Sequence, residues 1–492
     1  MIDEIIGRLA RMPPRKGPEW GSGGVYGLRY HEGVLYYTLA FEAEARFYRA
    51  EGTTKYRFEK VGHAPVSGGD TYNAVDVVDD EIVFGGWVHA PAVFHGREGR
   101  GGRILFYNKY SHVHAYSVAE DEVRLLWKEG AGMRDKWVGE VTDLIYDPLG
   151  DRILVARGDG HLRLGVYSIP RRGGEAEELS GRRALKGALH YDHACFDYMD
   201  SLSGGVRGVQ CLDLVEGGWR TVPISYSSHS VDGAAPTSSP LSGCAASLYG
   251  RYMHFIRGGL LAGNPVSDEP LWYYRLLDMG RSGYGPLRTT ATPLGGGLLV
   301  AFNSYTHGLL YPTSREEEKL AAERNTIVAP SLLLYLTPPS LRVVAALGAR
   351  ITSIEAAGRW ILLGTSTTAN YGALDAAPLE AGWRDVVALP VSIITAPPPP
   401  VYIRLPGWMI NDTRWGGIPL TGYKRPRLVV WAKKGCRLDV ASYDISLPPE
   451  EAETDRVYVG AGRGVVELEG YGPIVSFSCS EGGMRGAAFF LE

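Results

Sequence analysis

Short apolar runs alternate with turn residues along most of the chain, and the pattern recurs at a regular spacing. Each unit has a short strand, a turn, a second apolar strand and a polar loop that often ends in histidine. The clearest copies are residues 71–89, 141–161 and 289–307. A repeat of roughly fifty residues built from strands is typical of a β-propeller, in which each repeat forms one blade. The pattern therefore predicts an all-β fold.

The repeat predicts seven blades, with six as the alternative. The predicted blades span residues 22–62, 68–130, 137–181, 186–226, 243–280, 285–348 and 349–396. Two insertions, at residues 91–102 and in a predicted helix at 313–325, leave from the same loop position. We therefore expect both insertions to cover one face of the propeller.

Four consecutive prolines at residues 397–400 mark the clearest domain boundary. Consecutive prolines form a stiff, extended spacer and cannot join a central strand. Residues 1–20 are predicted to form a helix and a proline-rich arm, and residues 21–396 the propeller. After the linker, residues 401–492 alternate between apolar runs and glycine-rich turns, which predicts a C-terminal β-sandwich.

The composition indicates the location, the partners and the source of the protein. The net charge of −4 offers no overall attraction to nucleic acid, and no apolar run approaches the roughly 18 residues of a membrane helix. We therefore expect a cytoplasmic protein without membrane or nucleic-acid partners. The single glutamine, Gln210, and seven asparagines indicate a thermophilic source, because thermolabile amides are avoided in such proteins.

The five cysteines have no close pair, which excludes a zinc ribbon or a redox dithiol. Buried thiols are predicted, while disulfides between Cys195 and Cys211 or between Cys436 and Cys479 stay open. His112 and His114 share one face of a predicted strand, and a surface or interface stripe is expected there.

Four segments are distinctive as stretches of sequence. They are residues 17–24 (GPEWGSGG), 67–76 (SGGDTYNAVD), 84–91 (FGGWVHAP) and 107–114 (YNKYSHVH). Together they resemble a crenarchaeal family of uncharacterised proteins known only as a domain of unknown function. The resemblance extends over most of the chain and implies an archaeal source and a propeller-like fold. It implies no activity and no catalytic residues.

The repeat alignment brings polar residues to one end of the propeller. The loops after the second strands and the starts of the first strands should meet there around the central channel, where ligands commonly bind. The candidate catalytic residues are Asp70, Glu140, Asp159 and His161. The candidate ligand-binding residues are Asn73, His89, Asn303, His307 and Tyr371.

Imidazoles and carboxylates that converge in a pocket can act as the general acid and the general base of a reaction, or they can bind a divalent metal. His161 and His193 are the candidate metal ligands, and no other cofactor is indicated. The competing interpretation is that histidines near strand ends cap backbone groups and that aspartates form turns. No phosphate-binding loop and no nucleophile elbow occurs in the sequence.

Two functions are consistent with these features. The first is binding of a small polar ligand, a glycan or a nucleotide derivative, at the propeller mouth, with hydrolase or lyase activity. The second is a non-enzymatic scaffold for protein assembly, because propellers host many unrelated functions.

Overall fold

The structure is a computed structural model of the 492-residue chain. It describes residues 1–9, 15–16, 24–39, 44–57, 69–70, 73–88, 92–95, 103–106, 109–280, 284–303, 329–366, 383–479 and 483–492. The described residues are nearly all in antiparallel sheets, which confirms the all-β prediction. No helix among them is long and apolar enough to cross a membrane.

Successive sheets of four or five strands make up the propeller, and seven such sheets lie between residues 15 and 390 of the described chain. The first contains β2 (Val25–His31), β3 (Val34–Leu39), β4 (Glu44–Arg49) and β5 (Gly52–Arg57). The second contains β6 (Gly69–Asp70), β7 (Val75–Val78), β8 (Glu81–Val88), β11 (Tyr110–Ser117) and β12 (Glu122–Gly130). A separate hairpin of β9 (Ala92–His95) and β10 (Arg103–Phe106) falls at the first predicted insertion.

The next three sheets follow the chain in the same way. The third contains β13 (Glu140–Asp147), β14 (Arg152–Asp159), β15 (Gly165–Pro170) and β16 (Glu177–Ser180). The fourth contains β17 (Gly187–His190), β18 (His193–Tyr198), β19 (Gly208–Asp213) and β20 (Trp219–Pro223). The fifth contains β21 (Ser242–Leu248), β22 (Arg251–Ile256), β23 (Gly259–Gly263) and β24 (Trp272–Arg275).

The last two propeller sheets complete the series. The sixth contains β25 (Ala291–Leu294), β26 (Gly297–Phe302), β27 (Ser331–Thr337) and β28 (Ser340–Leu347). The seventh contains β29 (Arg350–Ala357), β30 (Trp360–Ser366) and β31 (Trp383–Pro390), and its fourth strand is the N-terminal β1 (Arg15–Lys16). The propeller class is confirmed, while the blade number stays a prediction.

The chain termini of the propeller meet in the seventh sheet. β1 pairs antiparallel with β31, so that the segment predicted as an arm carries a short strand instead. The preceding helix α1 (Ile2–Leu9) buries Ile5 and Leu9 against residues of the first and seventh sheets. The second predicted insertion helix lies outside the described residues.

Neighbouring sheets are held together by apolar side chains on both faces. β8 is buried along its whole length, as expected for a strand covered on both sides. His112 and His114 are 0% exposed within this packing, so the prediction of a surface or interface stripe is wrong. Their ring nitrogens lie 3.0 Å apart, and the ring of His114 stacks on Phe84. Burial lowers the pKa of His112 to about 3, which keeps the imidazole neutral.

Two further four-stranded sheets follow a 3-10 turn at Val391–Thr395. One contains β32 (Val401–Pro406), β34 (Arg427–Ala432), β37 (Gly462–Glu467) and β39 (Met484–Leu491), and a short helix α2 (Gly407–Ile410) follows β32. The other contains β33 (Arg414–Pro419), β35 (Cys436–Tyr443), β36 (Glu453–Val459) and β38 (Ile474–Cys479).

The C-terminal sheets share one hydrophobic core with the fifth and sixth propeller sheets, including Trp415 and Leu334. At this junction the Arg275 guanidinium is 0% exposed and bonds the carboxylates of Asp232 and Asp278. Tyr443 donates its hydroxyl hydrogen bond to the Arg275 carbonyl at 2.8 Å. The division into domains at the proline linker stays a prediction.

Cys195 on β18 and Cys211 on β19 lie directly opposite each other and form a disulfide. One of the two open disulfide pairings is therefore present. The remaining cysteines, Cys244, Cys436 and Cys479, are buried.

Candidate functional site

The channel mouth is the end of the propeller where first strands begin and second strands end. Glu140 opens β13 and pairs with Asp159, which closes β14. In the second sheet Asp70 pairs with Trp87 near the end of β8. Because neighbouring strands run antiparallel, strand starts and ends meet at one edge, as the repeat alignment predicted. The structure thus brings Glu140 and Asp159 together.

An ion pair between Lys109 and Glu140 forms the centre of this site. Lys109 comes just before the third strand of the second sheet, and its ammonium bonds the Glu140 carboxylate across to the third sheet. The two side chains are only 5% and 7% exposed. The Lys109 ammonium also lies 4.3 Å from the Trp137 ring centroid and 5.9 Å from that of Trp87. Aromatic faces stabilise a cation in this position.

The surroundings of Glu140 raise the pKa of its carboxyl group. Burial raises the pKa of Glu140 to about 7, and Asp159 adds to the rise, while Lys109 and Arg288 oppose it. Burial acts this way because it penalises the charged carboxylate. A carboxyl group with this pKa is present in both protonation states near neutral pH, as a general acid or base requires.

His161 lies at the rim of the same site. Its ring is perpendicular to that of Trp137, with the ring centroids 4.0 Å apart. Its backbone N–H donates a hydrogen bond to the Trp137 carbonyl at 3.0 Å. Burial, followed by the charge of Lys109, lowers the pKa of His161. The imidazole is therefore neutral at neutral pH, so that one ring nitrogen can donate a hydrogen bond and the other can accept one.

A cavity of about 70 Å³ opens beside this group. Its polar lining residues include Asp159, Lys186, Ser242 and Arg288, from the third to fifth sheets and the start of the sixth. Most of its surface is apolar, and its lining includes Trp87 and the leucines Leu185, Leu202, Leu241 and Leu287. This volume fits a small group and not a whole sugar or base. The cavity can therefore hold one end of a ligand.

A second cavity of about 210 Å³ shares the lining residue Lys186 with the first. Arg29, Asp76 and Asp143 line it from three first strands. The Lys186 ammonium lies 3.6 Å from the Asp143 carboxylate and donates a hydrogen bond to the Thr142 carbonyl at 2.7 Å. Burial raises the pKa values of Asp76 and Asp143, against the opposing charges of Arg29 and Lys186 respectively.

Asn73 and Asn303 use their amide groups to join different sheets. Asn73 accepts a hydrogen bond from the Gly27 N–H at 2.8 Å and donates one to the Thr352 carbonyl at 2.9 Å. Asn303 both accepts from the N–H and donates to the carbonyl of Ile351, each at 2.8 Å. Sequence reasoning placed both residues at the mouth and missed this bonding.

His193 lies at the opposite end of the propeller from His161. It begins β18, directly after the turn of a hairpin, whereas His161 follows the end of β14. Its Nδ1 lies 2.7 Å from the Asp192 carboxylate and its Nε2 lies 3.6 Å from that of Asp213. The structure does not bring the two predicted metal ligands together. Within the described ranges, no group of three or more His, Cys, Asp or Glu side chains is arranged to hold a metal ion.

Three predicted site residues, His89, His307 and Tyr371, lie outside the described residues. For Asp70 the structure describes only the backbone, in β6. Lys109, Lys186 and Arg288 belong to the site and were missed. Lys109 could have been found, because the starts of third strands lie at the channel mouth just as the ends of second strands do.

The fold and the channel define a β-propeller protein with a polar, partly buried site at one mouth. The chain belongs to DUF2139, a family of uncharacterised proteins conserved in archaea, whose family profile matches residues 35–374. The predicted archaeal family of unknown function is thereby confirmed. No curated protein matches the sequence.

Solved structures with similar folds include other propellers. A streptogramin B lyase structure has 9% sequence identity and a TM-score of 0.42, covering 77% of this chain and 97% of that one. An inactive variant of virginiamycin B lyase from Staphylococcus aureus with quinupristin has 10% identity and a TM-score of 0.41, covering 76% and 99%. The β-propeller domain of the Trilobed protease from Pyrococcus furiosus has 9% identity and a TM-score of 0.38, covering 69% and 90%. Similarity at this level carries no functional argument.

Proposed function

We propose that the channel mouth binds one end of a small polar ligand, a glycan or a nucleotide derivative. The observation that carries this proposal is the buried Lys109–Glu140 pair beside Asp159 and the Trp87 ring. The pair does not itself line the 70 Å³ cavity, but its neighbours Trp87 and Asp159 do. Burying ionised groups is costly, so a buried pair next to a cavity favours a functional site over a structural one. Carboxylate, ammonium and guanidinium groups together suit a ligand rich in hydroxyl or phosphate oxygens.

The same groups support acid–base chemistry of the hydrolase or lyase type. Glu140 would donate a proton to a leaving oxygen or take one from a carbon or a water molecule, because its pKa of about 7 allows both states. Asp159 would supply the second carboxylate, and the Lys109 ammonium would stabilise negative charge that develops on the ligand. Neutral His161 would orient the ligand from the rim.

Calorimetric titration with a panel of monosaccharides, sugar phosphates and nucleotides tests this proposal. We expect a ligand whose affinity falls by about tenfold or more in Lys109→Met and in Glu140→Gln, since each change removes a charged hydrogen bond. The matched controls are Lys128→Met and Glu177→Gln, which replace exposed residues of the second and third sheets. A ligand bound equally by both site variants would place its site elsewhere and contradict the proposal.

Assembly of proteins is the second candidate function. It is favoured by exposed tyrosine side chains on the end of the propeller opposite the channel mouth, including Tyr191 at 65% exposure. A surface of this kind suits a partner protein better than a small ligand.

A further inference from the structure

The hairpin face is the end of the propeller formed by the turns that join first to second and third to fourth strands. In the third, fourth and fifth sheets these turns carry exposed apolar side chains. They are Leu149 at 62%, Tyr191 at 65%, Val215 at 64% and Tyr249 at 48% exposure. Single exposed apolar residues are ordinary, but a group of four on adjacent turns indicates an interaction surface.

The two tyrosines occupy backbone positions that disfavour them. Tyr191 and Tyr249 are each the first residue of a two-residue turn, and both have φ of 54°. At the first position of the corresponding turns, the second and sixth sheets carry Asp79 and Gly295, which adopt a positive φ at lower cost. A bulky side chain in the left-handed region destabilises the fold, so its presence in two adjacent turns points to a use of the side chain.

Contacts with neighbouring turns hold the tyrosine rings in place. The hydroxyl of Tyr191 is 3.4 Å from the Gly250 carbonyl, and Tyr249 donates a hydrogen bond to the Gly296 carbonyl. The Tyr191 ring also lies 4.5 Å from that of His190. His190 is itself fixed by Ser247 Oγ at 2.9 Å and Asn264 Oδ1 at 3.1 Å. The rings are thus preorganised, which lowers the entropic cost of binding.

The charges around these tyrosines are mainly acidic. Exposed acidic residues on the turns of the second to fifth sheets are Asp79, Asp80, Glu120, Asp121, Asp151, Glu175, Asp192, Glu216 and Asp268. The basic residues on these turns are Arg171 and Arg172, and Arg171 lies 2.6 Å from Asp79 and 3.6 Å from Asp151. Asp268 is paired with Arg220 of strand β20 at 3.0 Å, so the acidic residues outnumber the basic ones although several are paired. Such a field attracts a cationic partner and repels nucleic acid.

We propose that the hairpin face of the third to fifth sheets docks a basic partner protein through Tyr191 and Tyr249. Arginine side chains of the partner stack on the two rings, because a guanidinium is attracted to an aromatic face and loses little hydration there. The surrounding carboxylates steer the approach and pair with further basic residues. This surface is separate from the channel mouth and does not depend on the ligand proposed there.

Fluorescence polarisation with the full-length protein tests the proposal. The probes are fluorescein-labelled arginine–glycine, lysine–glycine and glutamate–glycine repeat peptides of equal length. We expect the arginine peptide to bind best, and the glutamate peptide not to bind. The double variant Tyr191→Gly, Tyr249→Gly should bind the arginine peptide about tenfold more weakly, since both stacking faces are lost. Glycine relieves the positive φ, so the same variant should melt at an equal or higher temperature.

Tyr458→Ala is the matched control, because Tyr458 is a 76% exposed tyrosine on the C-terminal sheets. It should leave peptide affinity unchanged. A second variant, Asp192→Lys with Asp268→Lys, should weaken binding through charge without touching the tyrosines. Equal binding of the glutamate peptide, or full affinity in the tyrosine double variant, would overturn the proposal. So would a wild-type dimer in sedimentation that the double variant dissociates, since the occupant would then be a second copy of this chain.

Discussion

Replacing Glu140 by glutamine should remove a pH-dependent loss of stability. The pKa of Glu140 is raised from 4.5 to about 7, mainly by burial, so that the folded state binds this proton more tightly than the unfolded state. The associated stability is fully present below pH 4.5 and is lost as the pH rises to 7. One pKa unit corresponds to about 1.4 kcal/mol, so the total loss from this group is about 3 kcal/mol.

Guanidinium unfolding of wild type and Glu140→Gln, followed by tryptophan fluorescence at pH 5, 6, 7 and 8, measures this effect. Other buried carboxyls titrate in both proteins, and taking the difference between the two unfolding free energies removes their contribution. We expect Glu140→Gln to gain about 2.5 kcal/mol relative to wild type between pH 5 and pH 8. The exposed Glu177→Gln should give a difference that is constant over this range.

A constant difference for Glu140→Gln would contradict a raised pKa of this carboxyl group. It would mean that Lys109 keeps the carboxylate ionised throughout, so that its attraction exceeds the penalty of burial. Glu140 would then be a fixed charge that positions a ligand, and the proton transfer proposed for it would have to be abandoned.

Three further predictions concern other buried groups. Replacing both Cys195 and Cys211 by alanine should lower the unfolding free energy by about 3 kcal/mol, the value for a loop of 16 residues, and reduction of wild type should have a similar effect. Arg275→Met should cost roughly 3–5 kcal/mol in chemical unfolding because it leaves two buried carboxylates unpaired, whereas Arg220→Met at an exposed pair should cost no more than about 1 kcal/mol. Asp197→Asn should become more stable relative to wild type as the pH rises from 4 to 7, because burial raises the Asp197 pKa to about 7; equal pH profiles would contradict this.

Most sheet limits were predictable because they depend on local signals. The third sheet was expected at residues 137–181 and spans 140–180, and the fourth was expected at 186–226 and spans 187–223. Alternating apolar residues and turn residues set these limits without long-range information. Strand β1 was missed because two basic residues, Arg15 and Lys16, carry no alternation and depend entirely on pairing with β31.

Strand ends were also enough to predict the pairing of Glu140 with Asp159 at the mouth. The same reasoning failed for His193. The prediction relied on the dense group of polar residues around His193 and overlooked that this residue begins a second strand, at the end of the propeller opposite the mouth. It failed for His112 and His114 because period-two spacing shows that residues share a face, but not whether that face is covered. Here Gly86 opposite His112 has no side chain to exclude its ring, and Phe84 opposite His114 covers the other ring by stacking on it.

The two proposed sites can act at the same time, because the strands that connect them hold them apart. An eight-residue strand such as β14 rises by about 3.3 Å per residue, which separates the channel mouth from the hairpin face by about 25 Å. Screened charges interact little over that distance at physiological ionic strength. A basic partner on the hairpin face therefore leaves the channel mouth open to its ligand. A variant at Tyr191 that changed ligand affinity would require the charged groups inside the channel, Asp143 and Lys186 among them, to couple the two ends.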